Sequence, residues 1–151
     1  MIKRVVSGGQ SGVDLIAMQY ARSKGLIVGG YCPLGRTNER GIIPDLFDLI
    51  ETQSSNPKER TELNVVHSDG TLIISERDSF KGGTFYCYQV CMKYERPVFV
   101  VFLNEYKLSG KTEFNQWIRK NRIKTLNIAG NRASEVEGID EKAEKILKVL
   151  L

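Results

Sequence analysis

Hydrophobic and polar positions along the chain alternate between two rhythms. Ile2 to Val6, rich in β-branched residues, reads as a short strand buried on both faces. A helical stripe follows from Val13 to about Lys24, with Leu15, Ile16, Met18 and Ala21 on the apolar face and Gly25 as its stop. Leu26-Ile27-Val28 predicts a second strand, and Phe47 to Thr52 a short third one at a sheet edge. Glu59 to His67 reads as a helix, and Ser68-Asp69-Gly70 as the turn into a buried strand over 71–75. Beyond it, Gly82-Gly83-Thr84 opens a helix to about Tyr94, followed by a strand over 97–103, a helix over 112–121 and a strand over 125–128. Ile139, Ala143, Ile146, Leu147 and Leu150 then make the stripe of a terminal helix. Strands alternating with helices through right-handed crossovers predict one three-layer α/β domain over residues 1–151, with a mainly parallel sheet.

One stretch breaks the rhythm. Residues 31–45 carry Pro33, Gly35, Gly41 and Pro44 with little periodicity, and long loops in compact domains are disproportionately binding loops.

Composition narrows the partners. Hydrophobic residues are 41% and charged residues 26% of the 151, and no apolar run reaches the ~18 residues of a membrane helix. The opening Met1-Ile2-Lys3-Arg4 lacks a secretory pattern, so a cytoplasmic protein is expected. Three cysteines, Cys32, Cys87 and Cys91, point to reduced thiols, with Cys87 and Cys91 as small core residues. With one histidine, His67, and no Cys-x-x-Cys pair, no metal site is expected. A net charge of +4 favours an anionic ligand, whereas nucleic acid is disfavoured because no basic run carries interleaved aromatics.

The chemistry of an open parallel sheet gathers outside the carboxyl ends of its strands. There, Gly8, Gly9 and Gly12 bracket Gln10 and Ser11 between the first strand and its helix. Such a bend lets backbone approach a ligand, and the helix that follows offers N–H groups and a positive dipole end to phosphate. Gly82, Gly83 and Thr84 open a second helix in the same way, so the two N-termini are expected to share one nucleotide or pyrophosphate. On this view a bulky residue at Gly9 would fill the phosphate space and leave the fold intact. Gly-x-Gly-x-x-Gly is absent and the second strand ends on Gly29-Gly30-Tyr31 with no carboxylate, which disfavours an NAD dehydrogenase; no Lys-Ser/Thr follows the first bend, which excludes a P-loop.

Taken in order, Ser7-Gly8-Gly9-Gln10-Ser11-Gly12-Val13-Asp14, Gly30-Tyr31-Cys32-Pro33-Leu34-Gly35-Arg36, Glu59-Arg60-Thr61-Glu62-Leu63-Asn64-Val65, Ser68-Asp69-Gly70-Thr71-Leu72-Ile73, Gly82-Gly83-Thr84 and residues 126–134 resemble the molybdenum carrier family. The resemblance implies a Rossmann-like domain of the group that includes the cytokinin-activating nucleotide hydrolases. It further implies a nucleotide-like ligand or the molybdenum cofactor, a pterin with a phosphate tail, and a homodimer. The hydrolases resemble Gly-Gly-x-Gly-Thr-x-x-Glu at the second bend; here the bend is shortened and Cys87 stands where their glutamate serves bond cleavage. A thiol does not replace that carboxylate without an activating partner, so a carrier that performs no chemistry is expected over an enzyme. The alternative is a hydrolase of an N-glycosidic or phosphate bond, with Asp14 and Glu62 as its carboxylates.

Single residues sharpen the expected site. Gln10 and Ser11 offer an amide and a hydroxyl to phosphate oxygens, although Ser11 also suits a helix cap. Asp14 suits the helix dipole or a ribose hydroxyl or pterin amine. Arg36 is expected to fold over an anionic ligand; Arg40 is read as a solvated loop residue. Arg60 and Asn64 share a helix face, with Arg60 nearer the crevice, while Cys32 faces it from the long loop. Arg132 and Ser134 are expected to close the site, and Asp69 to serve a turn.

Overall fold

The computed structural model describes residues 1–105, 107 and 110–151. The chain runs through β1 (Arg4–Val6), α1 (Val13–Ser23), β2 (Ile27–Gly29), β3 (Tyr31–Cys32), β4 (Thr37–Asn38), β5 (Gly41–Ile42) and β6 (Ile50–Glu51). It continues through α2 (Pro57–Val66), β7 (Gly70–Ser75), a 3-10 turn (Arg77–Ser79), α3 (Gly82–Lys93), β8 (Val98–Phe102), α4 (Gly110–Lys120), β9 (Thr125–Gly130) and α5 (Ile139–Leu150). Between the strand predicted over 97–103 and the helix predicted over 112–121, residues 106, 108 and 109 lie outside the described residues.

The central sheet has the order β2-β1-β9-β7-β8, and every pairing in it is parallel. The chain winds from β1 outward to β2, and from β7 outward to β8 on the other side, while β9 fills the place between β1 and β7. Winding reverses there, which opens a crevice at the carboxyl ends of those strands.

The period of two in the buried strands builds the layers. Leu72 and Ile74 of β7 and Leu126 and Ile128 of β9 pack under α1, α4 and α5 through Ala17, Phe114 and Leu147. Ile73 and Ala129, one residue out of phase, face α2 and α3 through Val65, Val90 and Cys91. The result is a three-layer Rossmann-like α/β domain. All three cysteines are free and buried, and among the described residues no helix is long and apolar enough to cross a membrane.

The third predicted strand is placed differently. Only Ile50–Glu51 is extended, and β6 pairs in parallel with β3 in a ribbon separate from the main sheet. The sheet edge on that side is β2, whose Ile27 stays 63% exposed. Phe47 and Leu49 are diverted into a second small core with Leu15, Met18, Cys32 and Ile43. The long loop is therefore packed structure, folded back through the β4–β5 hairpin.

Candidate functional site

A cavity of about 480 Å³ opens beside the carboxyl ends of β1 and β9, within the ~300–1,000 Å³ span of small-molecule sites. The first bend contributes Gly8 and Gln10, α1 contributes Asp14, and α2 contributes Lys58, Arg60 and Asn64. Gly82, Gly83, Thr84 and Cys87 come from α3, and Asn127 and Arg132 from β9 and the bend after it. Both glycine bends thus line one cavity.

The first bend turns its polar backbone onto its own helix. Gln10 N–H donates to Asp14 Oδ2 at 3.2 Å, Val13 N–H donates to the Asn131 carbonyl at 3.1 Å, and Leu15 N–H donates to the Gln10 carbonyl at 3.2 Å. Among the amides expected to meet phosphate, those of Gln10, Val13 and Leu15 therefore already have partners. Burial pushes the Asp14 carboxyl above its ordinary range, against the pull of the Arg60 charge and of the Gln10 and Gly8 backbone N–H groups. Asp14 and Arg60 stand 3.7 Å apart, with 4% and 15% of their side chains exposed.

Beside Lys58, which stands in the same cavity with its ammonium over the Tyr86 ring, Arg60 is a largely buried cation with donor capacity to spare. At 3.7 Å its link to Asp14 is an ion pair rather than a hydrogen bond, and among the described residues its guanidinium donates to no protein acceptor. Its position also explains Gly8, where a Cβ would lie 2.6 Å from the guanidinium carbon.

The second bend is open. Lys81, at the cap position of α3, gives no side-chain hydrogen bond to the helix, so the first-turn N–H groups keep their donor capacity. Gly82 has φ 55°, in the left-handed region that glycine tolerates. A Cβ at Gly82 or Gly83 would meet nothing within 4 Å. Behind them lies a buried polar floor in which Asn127 Nδ2 donates to Thr71 Oγ1 at 3.2 Å.

Of the sequence-predicted residues, Gly8, Gln10, Asp14, Arg60, Gly82, Gly83, Thr84 and Arg132 border the cavity, and Gly9, Ser11, Gly12, Cys32 and Arg36 do not. Gly9 faces the second core, where a Cβ would come 2.7 Å from Ile43 Cδ1, and its φ is +79°. A bulky residue there would strike the fold, not a ligand, which corrects the expectation drawn from the sequence. Gly12 lets the bend after β9 approach, since a Cβ would collide with the Asn131 carbonyl and stand 3.0 Å from the Ala133 nitrogen. Ser11 donates to Glu39 and accepts from Ala133 N–H at 3.1 Å. Cys32 is wholly buried in the second core. Arg36 ties the loop together by donating to the Leu49, Pro44 and Phe47 carbonyls at 3.2, 3.2 and 3.1 Å.

Other side chains have roles of support. Asn64 clasps the Tyr31 backbone, accepting from its N–H at 2.8 Å and donating to its carbonyl at 3.0 Å. Glu62 accepts from Tyr86 Oη at 3.2 Å and lies 3.7 Å from Lys93 Nζ, outside the cavity lining. Arg40 pairs with Asp140 at 3.2 Å, and Asp69 accepts from the Lys124 and Thr125 N–H groups at 2.9 and 2.8 Å.

Sequence reasoning missed Glu39, Asn131 and Glu135. Glu39 accepts from Ser11 Oγ, from Ser134 N–H at 3.0 Å and from Ser134 Oγ at 2.6 Å. Burial acts to raise its carboxyl, yet the Ser11 and Ser134 hydrogen bonds prevail and hold it below the ordinary range. Asn131 accepts from Glu76 N–H at 2.8 Å and donates to the Ser79 carbonyl at 2.9 Å, fastening β7 to the bend after β9. Glu135 lines the cavity and accepts from Arg132 Nε at 3.3 Å. An asparagine between Gly130 and Arg132 at the end of a strand was the sequence signal available for Asn131; Glu39 had none in a polar loop.

Two comparisons place the chain among known proteins. The circularly permutated YpsA SLOG family matches residues 5–151. The chain is similar to a crystal structure at 1.45 Å resolution described as "Putative molybdenum carrier protein", from Syntrophus aciditrophicus SB. The TM-score is 0.95 and the identity 36%, over 99% of this chain and 95% of that one. Among curated proteins nothing matches.

Proposed function

The chain belongs to the circularly permutated YpsA SLOG family, and on that premise we propose that it is a carrier that binds a small phosphate-bearing nucleotide or pterin and performs no chemistry on it. The observation that carries this reading is Arg60: a guanidinium 15% exposed, with unspent donors, in the same cavity as the open N-terminus of α3. Phosphate suits both, because fixed N–H groups and a delocalised cation complement its oxygens. Flat ring systems suit the remaining walls, where Asn127, Asp14 and Gln89 offer donors and acceptors to amide and amine edges.

The solved relative described as a molybdenum carrier makes the molybdenum cofactor the foremost pterin candidate. The donor set fits its organic part: Arg60, Gly83 and Thr84 would hold the phosphate tail, and Asp14 and Asn127 the pterin edge. Among the described residues no group of three His, Cys, Asp or Glu gathers in ligating distance of a metal, so any molybdenum would arrive held by the cofactor, which supplies that chemistry itself.

A nucleotide hydrolase is the second reading, and one observation favours it: Asp14 is a buried carboxyl at the cavity with its proton held above the ordinary range, as a general acid requires. Native mass spectrometry of the purified protein, followed by incubation with nucleoside monophosphates, decides between them. The carrier predicts a co-purifying phosphorus-bearing ligand and intact nucleotide after incubation. Released base or phosphate, abolished by Asp14→Asn, contradicts it.

A further inference from the structure

Arg60 is not at the end of the site but in its middle. A second, smaller cavity of about 190 Å³ lies beside the first, lined by Pro33, Thr37, Asn38 and Ser55. Gly8, Gln10, Pro57 and Arg60 border both. The two hollows are thus halves of one groove, and the residues at the waist are a backbone bend, a proline and the arginine with unspent donors.

The chemistry differs along the groove. The larger lobe has a buried polar floor, Asn127 and Thr84, and the open α3 amides. The smaller lobe is bordered by the hydroxyl residues Thr37 and Ser55, both exposed, and among the described residues neither side chain has a hydrogen-bond partner. Lys58 and Arg132 stand in the larger lobe, and among the described residues Arg60 is the cation that borders both; a cation at such a waist suits a ligand whose negative charge lies there and whose two ends are bulky and polar.

From this we infer that the site takes a two-ended ligand, a diphosphate joining two nucleoside-like or ring-bearing halves, rather than a mononucleotide. The inference rests on the proposed phosphate-bearing ligand and names its class. The diphosphate lies against Arg60 at the waist, one half occupies the larger lobe, and the other half, a sugar or second ring, lies along Thr37 and Ser55. The first bend makes room for this by keeping glycine at position 8, where any side chain would displace the guanidinium.

The test is isothermal titration of the purified full-length chain with AMP and GMP and with the matching symmetric dinucleotides, diadenosine and diguanosine diphosphate. Thr37→Trp, an exposed position on β4, is titrated in parallel after circular dichroism has verified its fold. The expected result is at least tenfold tighter binding of a dinucleotide than of its mononucleotide, with that advantage lost in Thr37→Trp. Equal affinities for the two ligand types in the wild-type chain, or an advantage that survives Thr37→Trp, overturn the two-ended class while leaving the phosphate site standing. Binding of none of the four overturns both the class and the nucleotide reading beneath it.

Discussion

The Arg60 guanidinium lies across Gly8, close enough that a Cβ on the glycine would sit 2.6 Å from the guanidinium carbon. Gly8 has no positive φ, so alanine fits its backbone and only the arginine must move. Gly8→Ala is therefore expected to fold normally, with a melting temperature within a few degrees of wild type, and to lose about tenfold or more in affinity for phosphate-bearing ligands. Thermal denaturation and titration check the two halves; unchanged affinity would detach Arg60 from the ligand.

Gly9, its neighbour, answers differently. A β-branched side chain at φ +79° beside Ile43 and Leu49 combines left-handed strain with overpacking, about 2–4 kcal/mol together. Urea denaturation of Gly9→Val is expected to show that loss. A variant as stable as wild type would mean that the second core yields more readily than its packing indicates.

Asp14 sits 3.7 Å from Arg60 and competes with an incoming anion for it. Pyrophosphate, which has no sugar or ring, isolates that competition. Where Asp14 is ionised, Asp14→Asn is expected to tighten pyrophosphate binding by roughly tenfold, the scale of one partly screened charge nearby, and the gain fades as falling pH returns the proton that burial favours. Weaker binding would show that the carboxyl helps to hold the anion.

Glu39 fastens the β4–β5 hairpin to the first bend through Ser11 and to the bend after β9 through Ser134. Its folded-state carboxyl lies below the ordinary range, so the stabilisation is present above the unfolded value and is lost as pH falls through the folded one. Glu39→Gln is expected to lower stability at neutral pH by about 1–2 kcal/mol, with the two proteins converging in acid. Parallel unfolding curves across pH, with a constant gap, would contradict this assignment.

The long periodic segments announced themselves: β7 and β9 are short apolar runs and α5 a clean stripe, because burial alone dictates those patterns. Two-residue strands carry no period, which is why β3, β4 and β5 were invisible and β6 was placed in the wrong sheet. At the site, glycine marked the right bends for different reasons. Gly82 and Gly83 open space toward the cavity, whereas Gly12 admits neighbouring backbone. Arg36, in a motif-like setting, spends its donors on loop carbonyls, and no local pattern distinguishes such an arginine from Arg60. What separates them is which partners the fold brings to each.

Gly83 gives the most direct test of the central claim. It lines the cavity, its φ is unexceptional, and a Cβ there meets nothing within 4 Å, so a leucine side chain starts out in open ligand space. Gly83→Leu should be as stable as wild type or more so by up to about 1 kcal/mol, since glycine weakens a helix, yet titration with the ligand that co-purifies with the wild-type chain should detect no binding. Wild-type affinity in this variant would contradict a ligand seated at the α3 N-terminus.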